Sequence, residues 1–231
     1  MRTRAKEKLC NDGVVTFVNP DYPSPGMVEF LGAAGADAVF LCAEHGNADF
    51  ERIEDMARAA RLTGTAAIVR PMSHDPALIT RYLNRNIDGV IIPHVDTAAQ
   101  AEAIVETVRY ARWNDYEDRI VVSQVESLES VQNLPELLKV DGIDVFFIGP
   151  ADLSQAMGHP GNAGHPEVED TIQRVLAATL EAGRVAGILV NPENTAERVA
   201  QGFRLLYEHA NTFVKRGLAT FMEVAEASRP R

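Results

Sequence analysis

The chain has 231 residues, 46% of them apolar and 24% charged, which is enough to bury the core of one globular domain. Its formal net charge of -11 would set a like-signed surface against a nucleic-acid backbone or an anionic membrane, so neither is expected as a partner. No apolar stretch approaches the roughly 20 residues that span a bilayer, and no signal-like apolar region follows the charged opening. A cytoplasmic protein is therefore expected, with Cys10 and Cys42 as reduced thiols.

Short apolar runs alternate with helix-period stretches from one end to the other. The first run, 14–18, leads to a helix opened by Pro25. The second, 38–43, ends in Ala43-Glu44-His45-Gly46 ahead of a helix over 49–62. The third, 66–70, ends in Arg70-Pro71 and is followed by a helix over 75–85. The fourth, 89–93, meets His94 and then a helix over 97–110. The fifth, 120–126, carries Gln124-Val125-Glu126 and precedes a helix over 128–138. The sixth, 145–149, turns through Gly149-Pro150-Ala151-Asp152, and a glycine-rich loop leads to a helix over 165–182. Run 185–190 with helix 194–201, and run 204–208 with helix 212–227, complete the series.

Eight such units predict an α/β fold, a single-domain (β/α)8 TIM barrel. An open doubly wound sheet would show a glycine-rich first turn, and there is none. The last helix carries Phe213, Val214, Leu218, Phe221, Met222 and Val224. That is more apolar surface than a solvent-facing helix needs, so it either closes the outer ring or packs on another subunit.

In such a barrel the reacting groups gather at the C-terminal ends of the strands. One imidazole (His45), one guanidinium (Arg70) and two carboxylates (Glu126, Asp152) stand there on neighbouring strands. Each has a plainer reading alone, Asp152 as a helix cap and Arg70 as an ion-pair partner. Together they form a base, a fixed positive charge and an oxygen cage for a divalent ion. Lys6, Lys8, Lys139 and Lys215 are the only lysines, and none is placed for a Schiff base. The turns after the last two strands lack the glycines of a phosphate site.

The segments Ala43-Glu44-His45, Ile68-Val69-Arg70-Pro71, Gln124-Val125-Glu126-Ser127 and above all Phe147-Ile148-Gly149-Pro150-Ala151-Asp152-Leu153-Ser154 resemble the HpcH/HpaI-type class II pyruvate-dependent aldolases. The resemblance implies cleavage of a 4-hydroxy-2-oxo acid to pyruvate and an aldehyde, with Glu126 and Asp152 binding Mg²⁺, Mn²⁺ or Co²⁺. It implies that Gln124, Gly149, Pro150, Ala151 and Asp152 hold the pyruvate unit, that Arg70 faces the developing charge, and that His45 moves protons. It further implies a homo-oligomer, a hexamer or trimer, with the last helix exchanged between subunits. Two alternatives remain: a related lyase on a malyl-type or CoA-linked substrate, and a non-catalytic barrel that keeps the ligand site.

The pattern breaks in three places. Relatives usually carry aspartate where this chain has Cys42 and Asn84, so both changes are expected to remove negative charge near His45 and alter its proton transfer. Some twenty residues usually found before the fifth strand, expected to serve the rim and subunit contacts, are missing.

Overall fold

The computed structural model describes residues 2–228. Eight parallel strands, β1 (Val15–Asn19), β2 (Ala38–Cys42), β3 (Ala66–Arg70), β4 (Gly89–Ile92), β5 (Ile120–Val125), β6 (Val145–Ile148), β7 (Val185–Leu189) and β8 (Leu205–His209), close in sequence order. β8 returns to β1 with Val15 opposite Leu205 and Asn19 opposite His209. The expected (β/α)8 barrel is the fold.

The strands are short apolar runs because both of their faces are buried, as parallel strands require. Alternate residues serve two cores. Phe17, Phe40, Ile68, Ile91, Val122, Phe147, Leu205 and Tyr207 fill the barrel interior. Their neighbours, among them Val18, Leu41, Val69, Ile92, Phe146 and Leu206, face the surrounding helices.

Those helices are α1 (Arg4–Cys10), α2 (Pro25–Ala33), α3 (Phe50–Leu62), α4 (Pro76–Leu83), α5 (Ala98–Ala111), α6 (Leu128–Gln132), α7 (Leu134–Leu137), α8 (Pro150–Ala156), α9 (Pro166–Glu181), α10 (Thr195–Gln201) and α11 (Ala210–Ala227). Their starts carry the expected signals. Ser24, Asp49, Asp75 and Thr97 each accept a backbone N–H of the first turn.

Four details depart from expectation. Helix α1 has no counterpart in the sequence reading; it plugs the N-terminal end of the barrel with Ala5 and Leu9. Lys6 Nζ lies 2.6 Å from both Asp144 Oδ1 and the Arg119 carbonyl. The helix expected over 128–138 is two, α6 and α7, parted at Asn133 with Pro135 in the first turn of the second. Asp152 is not a cap, because Gly149 is the N-cap of α8 and Asp152 stands inside the first turn.

The fourth concerns the short link between α5 and β5. It lies at the N-terminal end of the barrel, where Arg119 Nη1 donates to the Ile87 carbonyl and Asp115 binds both Arg112 and Arg119. That is the end remote from the strand tips expected to carry chemistry, so within one chain this link forms no part of their rim.

Helix α11 buries only Ala210. Its Phe221 is 70% exposed, and Phe213, Val214, Leu218 and Met222 are exposed with it. Among the described residues no helix is long and apolar enough to cross a membrane.

Candidate active site

A cavity of about 430 Å³ opens at the C-terminal ends of the strands. Its lining brings together His45, Arg70, Gln124, Gly149, Pro150, Ala151 and Asp152. Glu126 lies just behind this lining: a Cβ added to Gly149 would stand 2.9 Å from Glu126 Oε2. Asn84 does not join them. It is the C-cap of α4 and lines a separate surface groove with Arg81 and Tyr110, because an eight-residue helix carries position 84 away from the strand ends.

Glu126 is 3% exposed. Its Oε2 accepts from Gln124 Nε2 at 2.6 Å and its Oε1 accepts from the His94 amide at 2.8 Å. His94 holds a left-handed φ of 52° to aim that amide, a conformation that a non-glycine residue adopts only under constraint. Burial pushes the Glu126 carboxyl up, and the like charge of Asp152 adds to the rise against the opposing pull of His94 and Arg70.

This arrangement fits a divalent cation. Two hard carboxylates stand at adjoining strand ends, near enough for the charge of Asp152 to raise the Glu126 carboxyl, and that repulsion is what a cation would relieve. The buried Gln124 Oε1 has no hydrogen-bond partner, which leaves an acceptor beside the pair. The amides of Ala151 and Asp152 precede the first intrahelical bond of α8, made by Leu153 to the Gly149 carbonyl, and are open to an anion.

Arg70 ends β3, two strands from Glu126 and three from Asp152. Its Nη2 donates to Cys42 Sγ at 3.1 Å, and its guanidinium lies 5.1 Å from the centre of the Phe40 ring. Its Nε is 2.9 Å from Glu44 Oε2, but the N–H is not directed at that oxygen, so the contact is an ion pair without a hydrogen bond. Burial alone would raise the Cys42 thiol, but Arg70 and the amides of His45 and Gly46 outweigh it and hold the thiol below its ordinary range. The sulfur thus takes the place of an acceptor for Arg70. His45 is held mainly through its backbone, whose N–H lies 3.3 Å from Cys42 Sγ. Its side chain is 73% exposed, with Nε2 3.8 Å from Glu44.

The opposite wall was not foreseen from the sequence. Asn19, Asp21, Tyr207 and His209 line it. His209 Nδ1 lies 2.5 Å from Asp21 Oδ1, His209 Nε2 lies 3.1 Å from the Tyr207 hydroxyl, and Asn19 Nδ2 donates to that hydroxyl at 2.9 Å. Burial pushes the Tyr207 phenol up to about 12. The available signal was the period of the strand, which turns 207 and 209 to the same side.

Known proteins share this architecture and sequence. A 4-hydroxy-2-oxo-heptane-1,7-dioate aldolase of Klebsiella pneumoniae is 34% identical over 193 residues, covering 74% of this chain and 73% of that protein. A hydroxypyruvate/pyruvate aldolase of Pseudomonas aeruginosa is 36% identical over 197 residues, covering 75% of this chain and 74% of that protein. The crystal structure of an HpcH/HpaI aldolase/citrate lyase family protein from Burkholderia cenocepacia superposes with a TM-score of 0.88 at 25% identity, over 96% of this chain and 98% of that one. The profile of the same family matches residues 15–214, a span that runs from β1 into α11 and takes in every residue of the cavity wall described above. With the closed barrel, the paired carboxylates and this match in agreement, the chain belongs to the HpcH/HpaI aldolase/citrate lyase family.

Proposed function

We propose that this enzyme is a divalent-metal-dependent aldolase that cleaves a 4-hydroxy-2-oxo acid to pyruvate and an aldehyde, and runs the reverse addition. The observation that carries the proposal is the buried Glu126 carboxylate set against Gly149 and raised by the charge of Asp152, behind a cavity lined by Asp152 and Arg70. Glu126 and Asp152 hold the ion, which is Mg²⁺, Mn²⁺ or Co²⁺. When bound, the ion supplies a Lewis acid for the 2-oxo group.

The remaining roles fall to the chain itself. The amides of Ala151 and Asp152 hold the substrate carboxylate, with Gln124 beside it and Gly149 and Pro150 shaping the floor. Arg70 faces the oxygen on which negative charge grows as the C3–C4 bond breaks. His45, at the exposed rim, exchanges protons with water. The chain works as one barrel domain in the cytoplasm, as a homo-oligomer of hexamer or trimer size in which the apolar face of α11 is covered by a neighbouring subunit.

The test is release of pyruvate from 4-hydroxy-2-oxo-heptane-1,7-dioate and from the pyruvate adduct of glycolaldehyde, read by a coupled lactate dehydrogenase. Turnover that EDTA abolishes and Mn²⁺ restores is expected. Turnover indifferent to EDTA would overturn the proposal.

A further inference from the structure

The wall of the cavity remote from Glu126 and Asp152 holds a carboxylate, an imidazole and a phenol in hydrogen-bonded series. Asp21 is fixed from both sides. Its Oδ1 takes His209 Nδ1 and its Oδ2 accepts the Asn211 amide at 2.6 Å. Its own backbone has a φ of 64°, held by a bond from the Asp21 amide to Asn19 Oδ1 at 2.8 Å. A left-handed aspartate kept in place at a cavity mouth is strain that surrounding contacts maintain.

With Nδ1 turned to Asp21, His209 presents Nε2 to the Tyr207 hydroxyl. The phenol ring is buried edge-to-face among Phe17, Phe40 and Phe147, so the hydroxyl is placed from below as well. That hydroxyl donates to Nε2 and accepts from Asn19, which leaves one oxygen lone pair for a donor in the cavity. His45, by contrast, has no hydrogen bond through its ring; its neighbouring carboxylate, Glu44, is 3.8 Å away, and its amide rests on Cys42 Sγ. Of the two imidazoles that line the cavity, the one hydrogen-bonded to a carboxylate is His209.

We propose that Tyr207 is a catalytic acid–base for the oxygen on C4 of the substrate, with His209 and Asp21 as positioning residues behind it. This rests on the aldolase reading above. In cleavage, the C4 hydroxyl proton passes to Tyr207 Oη as the Tyr207 proton passes to His209 Nε2. The C3–C4 bond breaks, its electron pair stays on the three-carbon fragment, and C4 becomes the aldehyde carbonyl. Once the aldehyde has left, the proton on His209 Nε2 returns to Tyr207 Oη as the phenol releases a proton to water entering the cavity, and the three-carbon fragment takes a proton from water or His45 to become pyruvate. In addition the same relay runs backward and protonates the new alkoxide.

The test separates the two halves of the reaction. Tyr207→Phe keeps the aromatic packing and removes only the hydroxyl. It is expected to lower kcat for cleavage of the two substrates named above by about 100- to 1,000-fold. Metal-dependent exchange of pyruvate methyl protons in D2O, which needs no C4 oxygen, should stay within about 3-fold of wild type. Asp21→Asn should lower kcat by about 10-fold or more with KM within about 2-fold, since it turns the ring without emptying the cavity. Cleavage by Tyr207→Phe at the wild-type rate would overturn the proposal, and so would equal loss of cleavage and exchange. A wild-type protein that exchanges protons but cleaves neither substrate would overturn it as well. No exchange by wild type at all would bring down the aldolase reading itself.

Discussion

Replacing Gly149 with alanine tests the proposed metal site through one methyl group. The backbone there has a φ of −94°, so alanine is not excluded by conformation. The new Cβ would stand 2.9 Å from Glu126 Oε2 and 3.0 Å from Glu126 Cβ, about half an ångström inside ordinary contact. Glu126 has little freedom to retreat, since Gln124, the His94 amide and the Ser130 hydroxyl on its own amide hold it. A metal ligand tolerates about 0.2 Å of displacement. The expected loss is about 10- to 100-fold in Mn²⁺ affinity, or about 1.4–2.8 kcal/mol, beside about 1–3 kcal/mol of overpacking in stability. Isothermal titration with Mn²⁺ reads the first and thermal unfolding the second. Gly26→Ala in the first turn of α2, where the nearest atom to the added Cβ is Ser24 Oγ at 4.0 Å, is the control. Since burial raises the Glu126 carboxyl, wild-type affinity should also begin to fall with decreasing pH above the usual glutamate range, as protons compete for the site. A folded Gly149→Ala protein with a wild-type Kd for Mn²⁺ would refute this placement of the ion.

Three further outcomes are expected. Burial pushes Asp37 up, but bonds from Lys8 and Thr16 outweigh it and hold its carboxyl below the ordinary range. Its contribution to stability is therefore present above about pH 4 and lost as pH falls through the depressed value, so the gap between wild type and Asp37→Asn, about 1–3 kcal/mol, should shrink on acidification. Urea melts that show it growing would contradict the pairing. Iodoacetamide at neutral pH should label Cys42 faster than the exposed Cys10, because the Arg70-paired thiol is held below its ordinary range, and pyruvate with Mn²⁺ should slow it. Mass spectrometry that finds Cys10 labelled first would count against that pairing. Leu218→Glu with Phe221→Glu on the exposed face of α11 should shift the protein to a smaller species in analytical ultracentrifugation, whereas an unchanged sedimentation coefficient would show that this face is not an interface.

Much of the fold was legible because parallel barrel strands are buried on both faces and read as apolar runs punctuated by helix starts. Helix α1 was not, since Arg4–Cys10 is short and mostly charged, and its role depends on the stem of Lys6 and on Leu9 meeting a barrel end that only exists once the sheet has closed. The Gly149–Asp152 wall of the cavity was legible in the Phe147–Ser154 segment, where polar residues follow an apolar run at once. Within one chain Asn84 lies away from the cavity, because sequence distance from a strand says little about which end of the following helix a residue occupies. Tyr207 and His209 were passed over because a tyrosine among leucines reads as core, and Asp21 because Asn19-Pro20-Asp21 reads as a turn. Their connection spans some 190 positions and is made only by the pairing of β8 with β1.

Every role proposed above depends on a metal-dependent pyruvate site built on Glu126. The most direct measurement is proton exchange at the methyl group of pyruvate in D2O, followed by NMR with and without Mn²⁺ and repeated with Glu126→Gln. Exchange that requires Mn²⁺ and drops by about 100-fold or more in the variant is the predicted result. Exchange that proceeds equally in EDTA, or equally in Glu126→Gln, would contradict it.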